Sequence, residues 1–234
     1  MKQWPDINFV RRKRQKYIRI RVRPDKITVS APRNCTQKEM KRFLHEKTDW
    51  IDATLSKMAD KREALDQKKS MHNGEMLLRG RWKPLKNMGQ HELASRWKFS
   101  ENDDSVFYKT PDGSSDLPPD EVLLGYYRYL AKNEIPYRLY QFSEELPFQF
   151  KKVFIRSQKT KWGTCSSKGN LSFNWRLIKC PYWIWDYLFI HELCHTVHMN
   201  HSKEYWKLVG SYYPDFKKAK QWIKKNGALI FDAP

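Results

Sequence analysis

The residues with the clearest chemistry are His191, Glu192 and His195, which form an H-E-x-x-H motif. On a helix with about 3.6 residues per turn, the two histidines share one face, where both imidazoles can contact a zinc ion. Glu192 projects about 100° away, close enough to reach a zinc-bound water without ligating the metal. The spacing predicts a metal site with Glu192 as the catalytic base that activates water.

The competing interpretation is a pair of buried histidines that only form hydrogen bonds. The motif lies in a segment that is apolar on most of its circumference, from Trp183 to Val197, and Pro181 suits the start of that helix. Two unpaired imidazoles and a carboxylate would be costly in such surroundings. The context therefore favours a metal.

A catalytic zinc needs a third protein ligand, and the residues that follow offer three candidates, His198, His201 and Glu204. If the helix continues to Asn200, His198 lies on the face of His191 but about 10 Å further along the axis. Three imidazoles on one straight helix cannot all reach a tetrahedral metal. His201 lies beyond the predicted helix end, just before Ser202 as the N-cap of another helix, and can approach from a different direction.

Two strands are predicted before this helix, at Val153–Ile155 and Leu171–Trp175, with a turn from Gly163 to Asn170. The polar segment 159–167, which includes Lys161 and Cys165, has two interpretations. It is either a loop near the metal that supplies a cation or backbone donors, or an ordinary turn with Trp162 in the core.

The first half of the chain predicts strands and a basic helix. Alternating apolar residues at 18–22 and 27–31, joined by Pro24-Asp25, indicate a hairpin with an arginine-lined face. Thr36 and Glu39 form a capping box that opens a helix, whose charged later part is expected to be exposed. Short apolar runs near residues 76–78, 97–99 and 106–108 indicate two to four further strands.

The turn-forming residues 111–116 are the best candidate for a linker. They divide the chain into a β-rich, basic N-terminal region, residues 1–116, and a catalytic domain, residues 117–234. A long helix is expected from Pro119 to about Tyr140, with Pro136 kinking or splitting it. The overall fold class is therefore α+β.

Composition indicates which partners and which cellular location to expect for the protein. Lys and Arg outnumber Asp and Glu by 45 to 26 in 234 residues, for a formal charge of +19. This surplus suits a polyanion such as nucleic acid, bound through the N-terminal hairpin, or it is only a solvated surface. The cysteines show no metal-binding or disulfide spacing and are expected to be free thiols. With neither a secretory signal nor a membrane-spanning stretch, a cytoplasmic location is expected and no membrane partner.

Several segments together resemble the YgjP-like family of predicted bacterial zinc metallohydrolases, which are relatives of the SprT-like and WLM-type zinc proteases. The resemblance covers nearly the whole chain and is most specific at 186–195, 200–202 and 205–206. It implies a minimal zincin-like core in which a small sheet packs beside the active-site helix. In that fold a strand borders the cleft, and Leu171–Trp175 is the nearest strand before the helix, so an extended peptide substrate is expected to add to its edge. The resemblance also implies His191, His195 and His201 as ligands of Zn²⁺ and Glu192 as general base. Tyr205 is a modest departure, because Phe is usual at its position.

Three functions are compatible with these residues. The leading prediction is a metallopeptidase, in which zinc-bound water attacks a peptide carbonyl of a peptide or protein substrate and Glu192 transfers the proton. The alternative hydrolase is a metal-dependent nucleotide pyrophosphatase or phosphatase, which the positive charge suits although no Gly-rich phosphate loop is present. A zinc-containing nucleic-acid-binding protein is disfavoured, because it would leave Glu192 without a role.

Overall fold

The computed structural model describes residues 4–88, 96–112, 114 and 116–232. Within these residues the chain contains six α-helices and ten strands, arranged in three small sheets. The predicted α+β class is therefore confirmed. The chain divides into two compact units, Met1–Met71 and His72–Pro234, which are described separately.

The first unit is built on a three-stranded sheet. Its strands β1 (Asp6–Arg12), β2 (Arg19–Val22) and β3 (Lys26–Pro32) lie in the order β1-β3-β2. The antiparallel pairing of β2 with β3 confirms the predicted hairpin, and β1 pairs parallel to β3. Alternate residues of β3 are fully buried, namely Ile27, Val29 and Ala31, because one face of the sheet is covered and the other is open.

Two helices cover the apolar face of this sheet. Helix α1 (Gln37–Glu46) begins at Thr36, where the predicted capping box with Glu39 is present. Helix α2 (Thr48–Ser70) follows after Lys47. Met40, Leu44 and Ile51 pack in one core with the buried residues of β3. The charged later part of α2 is largely exposed, as its composition predicts.

The second unit begins with a four-stranded sheet of order β4-β5-β7-β6, which matches the upper end of the predicted strand number. Its strands are β4 (Glu75–Leu78), β5 (Arg81–Asn87), β6 (Lys98–Glu101) and β7 (Val106–Lys109). Gly80, in the turn between β4 and β5, has φ +83°, and an added Cβ would lie 2.9 Å from Pro181. This close approach fixes the sheet beside the start of the active-site helix.

Helix α3 (Asp120–Ser143) packs on the same core. It begins where predicted and extends slightly further, and Pro136 lies inside it without ending it. Ile135 and Leu139, on either side of the proline, are fully buried. Their packing holds the helix against the core across the position where the hydrogen-bonding N–H is missing.

The domain boundary predicted between residues 116 and 117 lies inside the second unit. Met76 and Val106, which precede it, share one core with Leu130 of α3 and Leu193 of the active-site helix. Of the predicted linker, Gly113 and Ser115 lie outside the described residues. The division between compact units falls instead after Met71, since the strands that follow complete the second core.

The site is built from the last three strands and three helices. Strands β8 (Val153–Arg156), β9 (Gly163–Cys165) and β10 (Leu171–Asn174) form a sheet of order β8-β10-β9. After a short 3-10 helix follow α4 (Tyr182–Cys194), α5 (Lys203–Tyr212) and α6 (Phe216–Asp232). Among the described residues, no helix has both the length and the apolar character that crossing a bilayer requires.

Two sequence predictions about the substrate strand were wrong. The turn expected from Gly163 to Asn170 begins with a strand, β9, and only the residues after Cys165 turn back. Strand β10 therefore has both edges paired, with β8 on one side and β9 on the other. A peptide cannot add to β10, because its backbone groups already bind its neighbours.

Candidate metal centre

Helix α4 carries the H-E-x-x-H motif through the interior of the second unit. Ile184, Trp185, Phe189 and Leu193 are fully buried, which agrees with the apolar character predicted for this helix. The helix ends at Cys194, with His195 as its C-cap. The predicted end at Asn200 was therefore wrong, because the chain leaves the helix in tight turns, with the N–H of Thr196 donating to the carbonyl of Leu193.

Three imidazoles meet just after this helix end. The ligand nitrogens of His191, His195 and His201 all lie within 4.8 Å of one another, and the Nε2 atoms of His191 and His201 are 3.4 Å apart. Two nitrogens bound to one tetrahedral zinc at about 2.05 Å each would lie about 3.3 Å apart. The His191–His201 spacing therefore matches that of two zinc ligands, and the three nitrogens are close enough together to hold one metal ion.

In His191 and His195, the ring nitrogen Nδ1 points to a hydrogen-bond acceptor. His195 Nδ1 lies 2.9 Å from the backbone carbonyl of His198. His191 Nδ1 lies 2.8 Å from the hydroxyl of Tyr205, which donates its own proton to the carbonyl of His191. Both histidines therefore carry their proton on Nδ1, which leaves the Nε2 lone pair free for a metal.

Burial and nearby positive groups favour the neutral form of His191 and His201. Burial, together with the nearby His195, His201 and Lys220, lowers the pKa of His191 to about 3. Burial, with His195 and Lys220, also lowers the pKa of His201. Neutral imidazole is the form that binds metal, because the protonated ring has no free lone pair.

Glu192 lies deep beside the histidines and against β9. Its side chain is 3% exposed, burial raises its pKa to about 8 with Lys161 opposing the shift, and Oε2 is buried without a hydrogen-bond partner. A Cβ on Gly163 would lie only 2.8 Å from the Cγ and Cδ atoms of Glu192. Glycine is therefore required there for the carboxyl group to reach its position.

These groups open into one cleft with a volume of about 550 Å³. Strand β9 and the residues before it form one wall, including Lys161, Gly163 and Cys165, and α6 contributes Lys220, Ile223 and Lys224. Three lysines therefore line the cleft, together with one carboxyl group, that of Glu192. An anionic group would be attracted into it.

Strand β9 presents a backbone edge to the cleft. In its antiparallel ladder with β10, Trp162 accepts from the N–H of Asn174, and the N–H of Ser166 donates to Asn170. Because the bonding direction alternates along an antiparallel strand, the N–H and C=O groups of Gly163 and Cys165 point away from β10. They form the edge on which another strand can pair.

The structure separates the other candidate residues. His198 is not in the cluster and contributes only its backbone carbonyl, while Glu204 is exposed in the first turn of α5. Ser202 is the N-cap of α5, as predicted. The segment 159–167 combines both interpretations, because Lys161 and Cys165 line the cleft while the Trp162 ring packs against Phe231.

Sequence reasoning missed the roles of Gly163 and Tyr205. The glycine falls in a segment that predicts a turn, where glycine needs no further explanation. Tyr205 is noticed only as a departure from the usual Phe, and nothing in the local sequence relates its hydroxyl to His191. The lysines of α6 are likewise indistinguishable from the other lysines of a basic chain.

Replacing Gly163 with alanine is expected to lower activity at least about tenfold while leaving the metal bound. The added methyl group overlaps the side chain of Glu192, so the carboxyl group must move from its place near the metal, and small displacements of reacting groups are costly. Turnover and zinc content are the measurements. Gly125→Ala, in α3 with no atom within 4 Å of the new Cβ, is the control, and equal activity of both variants would contradict the prediction.

The variant Tyr205→Phe is expected to bind zinc about tenfold more weakly. It removes the hydroxyl that holds His191 Nδ1, and loss of a hydrogen bond to a metal-ligating histidine typically costs about 10- to 100-fold in affinity. Competition with a chromogenic chelator measures the effect. Tyr212→Phe in the same helix is the control, and an unchanged affinity of the Tyr205 variant would assign the hydroxyl a purely structural role.

Comparison with known proteins identifies the family of this chain. A search of curated proteins found no match. Among solved structures, the chain is similar to the metallopeptidase zymogen of Pyrococcus abyssi abylysin, with 23% identity over 39% of this chain and 93% of that one. The TM-score of this comparison is only 0.35. The family model described as "YgjP-like, metallopeptidase domain" matches residues 16–226, and because this is most of the 234-residue chain, the protein belongs to the YgjP-like family.

Proposed function

We propose that this protein is a zinc metallopeptidase in which His191, His195 and His201 bind the metal and Glu192 is the general base. The observation that carries the proposal is an unpartnered, buried carboxyl oxygen of Glu192 beside three converging imidazoles in one cleft. A buried carboxylate is costly without a partner. A water molecule and a cation in the cleft would supply what it lacks.

The donor set suits zinc. Three imidazoles whose ligand nitrogens lie within 4.8 Å of one another would leave one position of a tetrahedral zinc for water or substrate, which is typical of catalytic rather than structural zinc. When bound, zinc lowers the pKa of a coordinated water and polarises a carbonyl oxygen. Membership of a family defined by a metallopeptidase domain supports the same assignment.

In this proposal Glu192 transfers the proton. Its carboxyl group is ionised once a cation lies on the histidines, because a nearby opposite charge favours the charged form and opposes the effect of burial. It then accepts the proton of the attacking water and delivers it to the nitrogen of the leaving amine. The packing of Gly163 against Glu192 holds the side chain in one place for both transfers.

The substrate lies along β9 in this proposal. An extended peptide can pair with the outward N–H and C=O groups of Gly163 and Cys165, as an added strand does at an open sheet edge. Its scissile carbonyl would then pass close to Glu192, against which Gly163 packs. Backbone pairing selects extended peptides and places little demand on their side chains.

A nucleotide hydrolase is the second candidate, and the three cleft lysines favour it. Lys161, Lys220 and Lys224 line the cavity that holds the histidines, and a cation near a phosphate stabilises its negative charge. The same lysines are compatible with a peptide that carries acidic side chains. The edge of β9 has no evident use for a nucleotide, so we place the peptidase first.

One assay distinguishes the two candidates. Zinc-loaded protein is incubated with casein and, separately, with nucleoside triphosphates, each with and without a chelator. Chelator-sensitive appearance of peptide fragments, restored by added zinc, is the expected result. Chelator-sensitive release of phosphate or pyrophosphate with intact casein would replace the peptidase by the nucleotide hydrolase.

A further inference from the structure

The first unit concentrates positive charge on one short segment. Residues 4–35 contain two acidic side chains, Asp6 and Asp25, and ten basic ones, namely Arg11, Arg12, Lys13, Arg14, Lys16, Arg19, Arg21, Arg23, Lys26 and Arg33. This segment includes the whole sheet β1-β3-β2. The proposed peptidase activity assigns no task to it.

Strand register places part of this charge on one face. Ile27, Val29 and Ala31 of β3 point into the core, so Thr28 and Ser30 point outward. Paired residues in neighbouring strands share a face, and the register pairs Arg21 with Thr28 and Arg19 with Ser30 on one side of β3. On the other side it pairs Asn8 with Thr28 and Val10 with Ser30, and Arg12 follows on the same face.

We call this surface the arginine face, defined by Asn8, Val10, Arg12, Arg19, Arg21, Thr28 and Ser30. Two rows of paired residues cross this face, namely Asn8–Thr28–Arg21 and Val10–Ser30–Arg19. Each row has a hydroxyl side chain in the centre and an arginine at one edge. Within the part of the chain that the structure describes, no ion pair involves Arg12, Arg19 or Arg21. Their guanidinium groups are therefore available to an external anion.

We propose that the arginine face binds the phosphate backbone of single-stranded nucleic acid. Arg19 and Arg21 are two residues apart on one strand, so their side chains leave the sheet about 7 Å apart. A regular row of cations suits the repeating charge of a phosphodiester chain. Guanidinium groups bind phosphate through paired hydrogen bonds, and the hydroxyl of Thr28 adds a further donor, whereas that of Ser30 donates to the carbonyl of Arg19. This site is separate from the zinc chemistry and does not depend on it.

Two features favour a single strand over other anionic partners. Tyr17, two residues before Arg19, is 71% exposed and lies outside the arginine face, in a groove with Lys16, Arg42, Glu39 and Glu46. An exposed aromatic ring next to basic side chains can stack an unpaired base. A membrane surface is disfavoured because the only aliphatic side chain of the arginine face, Val10, is partly buried. Peripheral membrane proteins pair basic groups with apolar side chains that enter the lipid.

The test compares two double variants of the full-length, zinc-loaded protein. Arg19→Gln/Arg21→Gln removes two charges from the arginine face. Lys57→Gln/Lys61→Gln removes two charges from exposed positions on α2, a helix whose Ile51 packs in the core on the other side of the sheet. Fluorescence anisotropy with a labelled single strand of about 12 nucleotides measures affinity over a range of salt concentrations.

Binding to the original protein should weaken steeply with salt. Loss of two phosphate contacts should reduce the slope of log K against log salt by about 1.4, and lower the affinity roughly 60-fold at about 50 mM salt. The α2 variant should keep the slope and affinity of the original protein. Tyr17→Ala should weaken single-strand binding about fivefold or more, whereas Tyr17→Phe should not.

Three results would overturn the proposal. One is undetectable binding of the single strand at low salt. Another is an equal loss in the Arg19/Arg21 and Lys57/Lys61 variants, which would reduce the effect to overall charge. The third is tighter binding of anionic vesicles or of polyglutamate than of the oligonucleotide. None of these results bears on the peptidase proposal, which is tested by hydrolysis and chelation.

Discussion

Replacing Glu192 with glutamine is expected to lower hydrolysis by about 10² or more while the protein keeps its fold and its zinc. Glutamine has nearly the same shape, so it fits beside Gly163 as glutamate does. It cannot accept the proton of the attacking water, and general-base catalysis typically contributes about 10²- to 10⁴-fold to the rate. The histidine nitrogens are unchanged, so metal content should be unchanged as well.

Stability should not fall in this variant. The carboxyl group of Glu192 is buried and its pKa is raised to about 8, so without metal the folded protein favours an uncharged side chain, which glutamine provides. Turnover, zinc content and thermal unfolding of the metal-free protein are the three measurements. Glu204→Gln, at an exposed position in α5, is the control for loss of a carboxylate. Activity retained in the Glu192 variant would assign the base to another residue.

The second large effect concerns His201, the proposed third metal ligand. His201→Ala is expected to lose zinc affinity by more than about 100-fold, together with activity, because it removes one of three nitrogens that converge on one point. Loss of a hydrogen bond to a ligand already costs about 10- to 100-fold, and loss of the ligand itself should cost more. Zinc content after extensive dialysis measures the effect directly.

His198→Ala should keep most of both properties and is the matched control. The group of His198 that touches the site is its backbone carbonyl, which accepts from His195 Nδ1, and alanine retains that carbonyl. On a helix that continued to Asn200, His198 would lie too far from His191 along the axis to share its metal. Helix α4 in fact ends at Cys194. The expectation for the variant is the same, but its reason is different. Zinc loss in the His198 variant with retention in the His201 variant would reverse the assignment.

The relation between β9 and β10 illustrates what local sequence cannot reveal. Apolar alternation predicted a strand at Leu171–Trp175, because alternation depends on residues two positions apart, and the structure has this strand at Leu171–Asn174. Gly163–Cys165 is too short and too rich in turn formers to show a pattern. Its extended conformation comes from pairing with β10, so the strand exists only in the folded sheet. The open edge was consequently assigned to the wrong strand.

The sequence by itself identified the H-E-x-x-H residues and predicted most of the secondary-structure elements. The motif spacing, the apolar α4, the hairpin and the capping box of α1 all depend on residues close to one another in the chain. Tertiary structure alone decided which groups surround the motif. Gly163 packs against Glu192, Tyr205 holds His191, and Lys220 enters the cleft from α6. These contacts join residues distant in the chain, and they form only when burial of the core brings the sheet and the helices together.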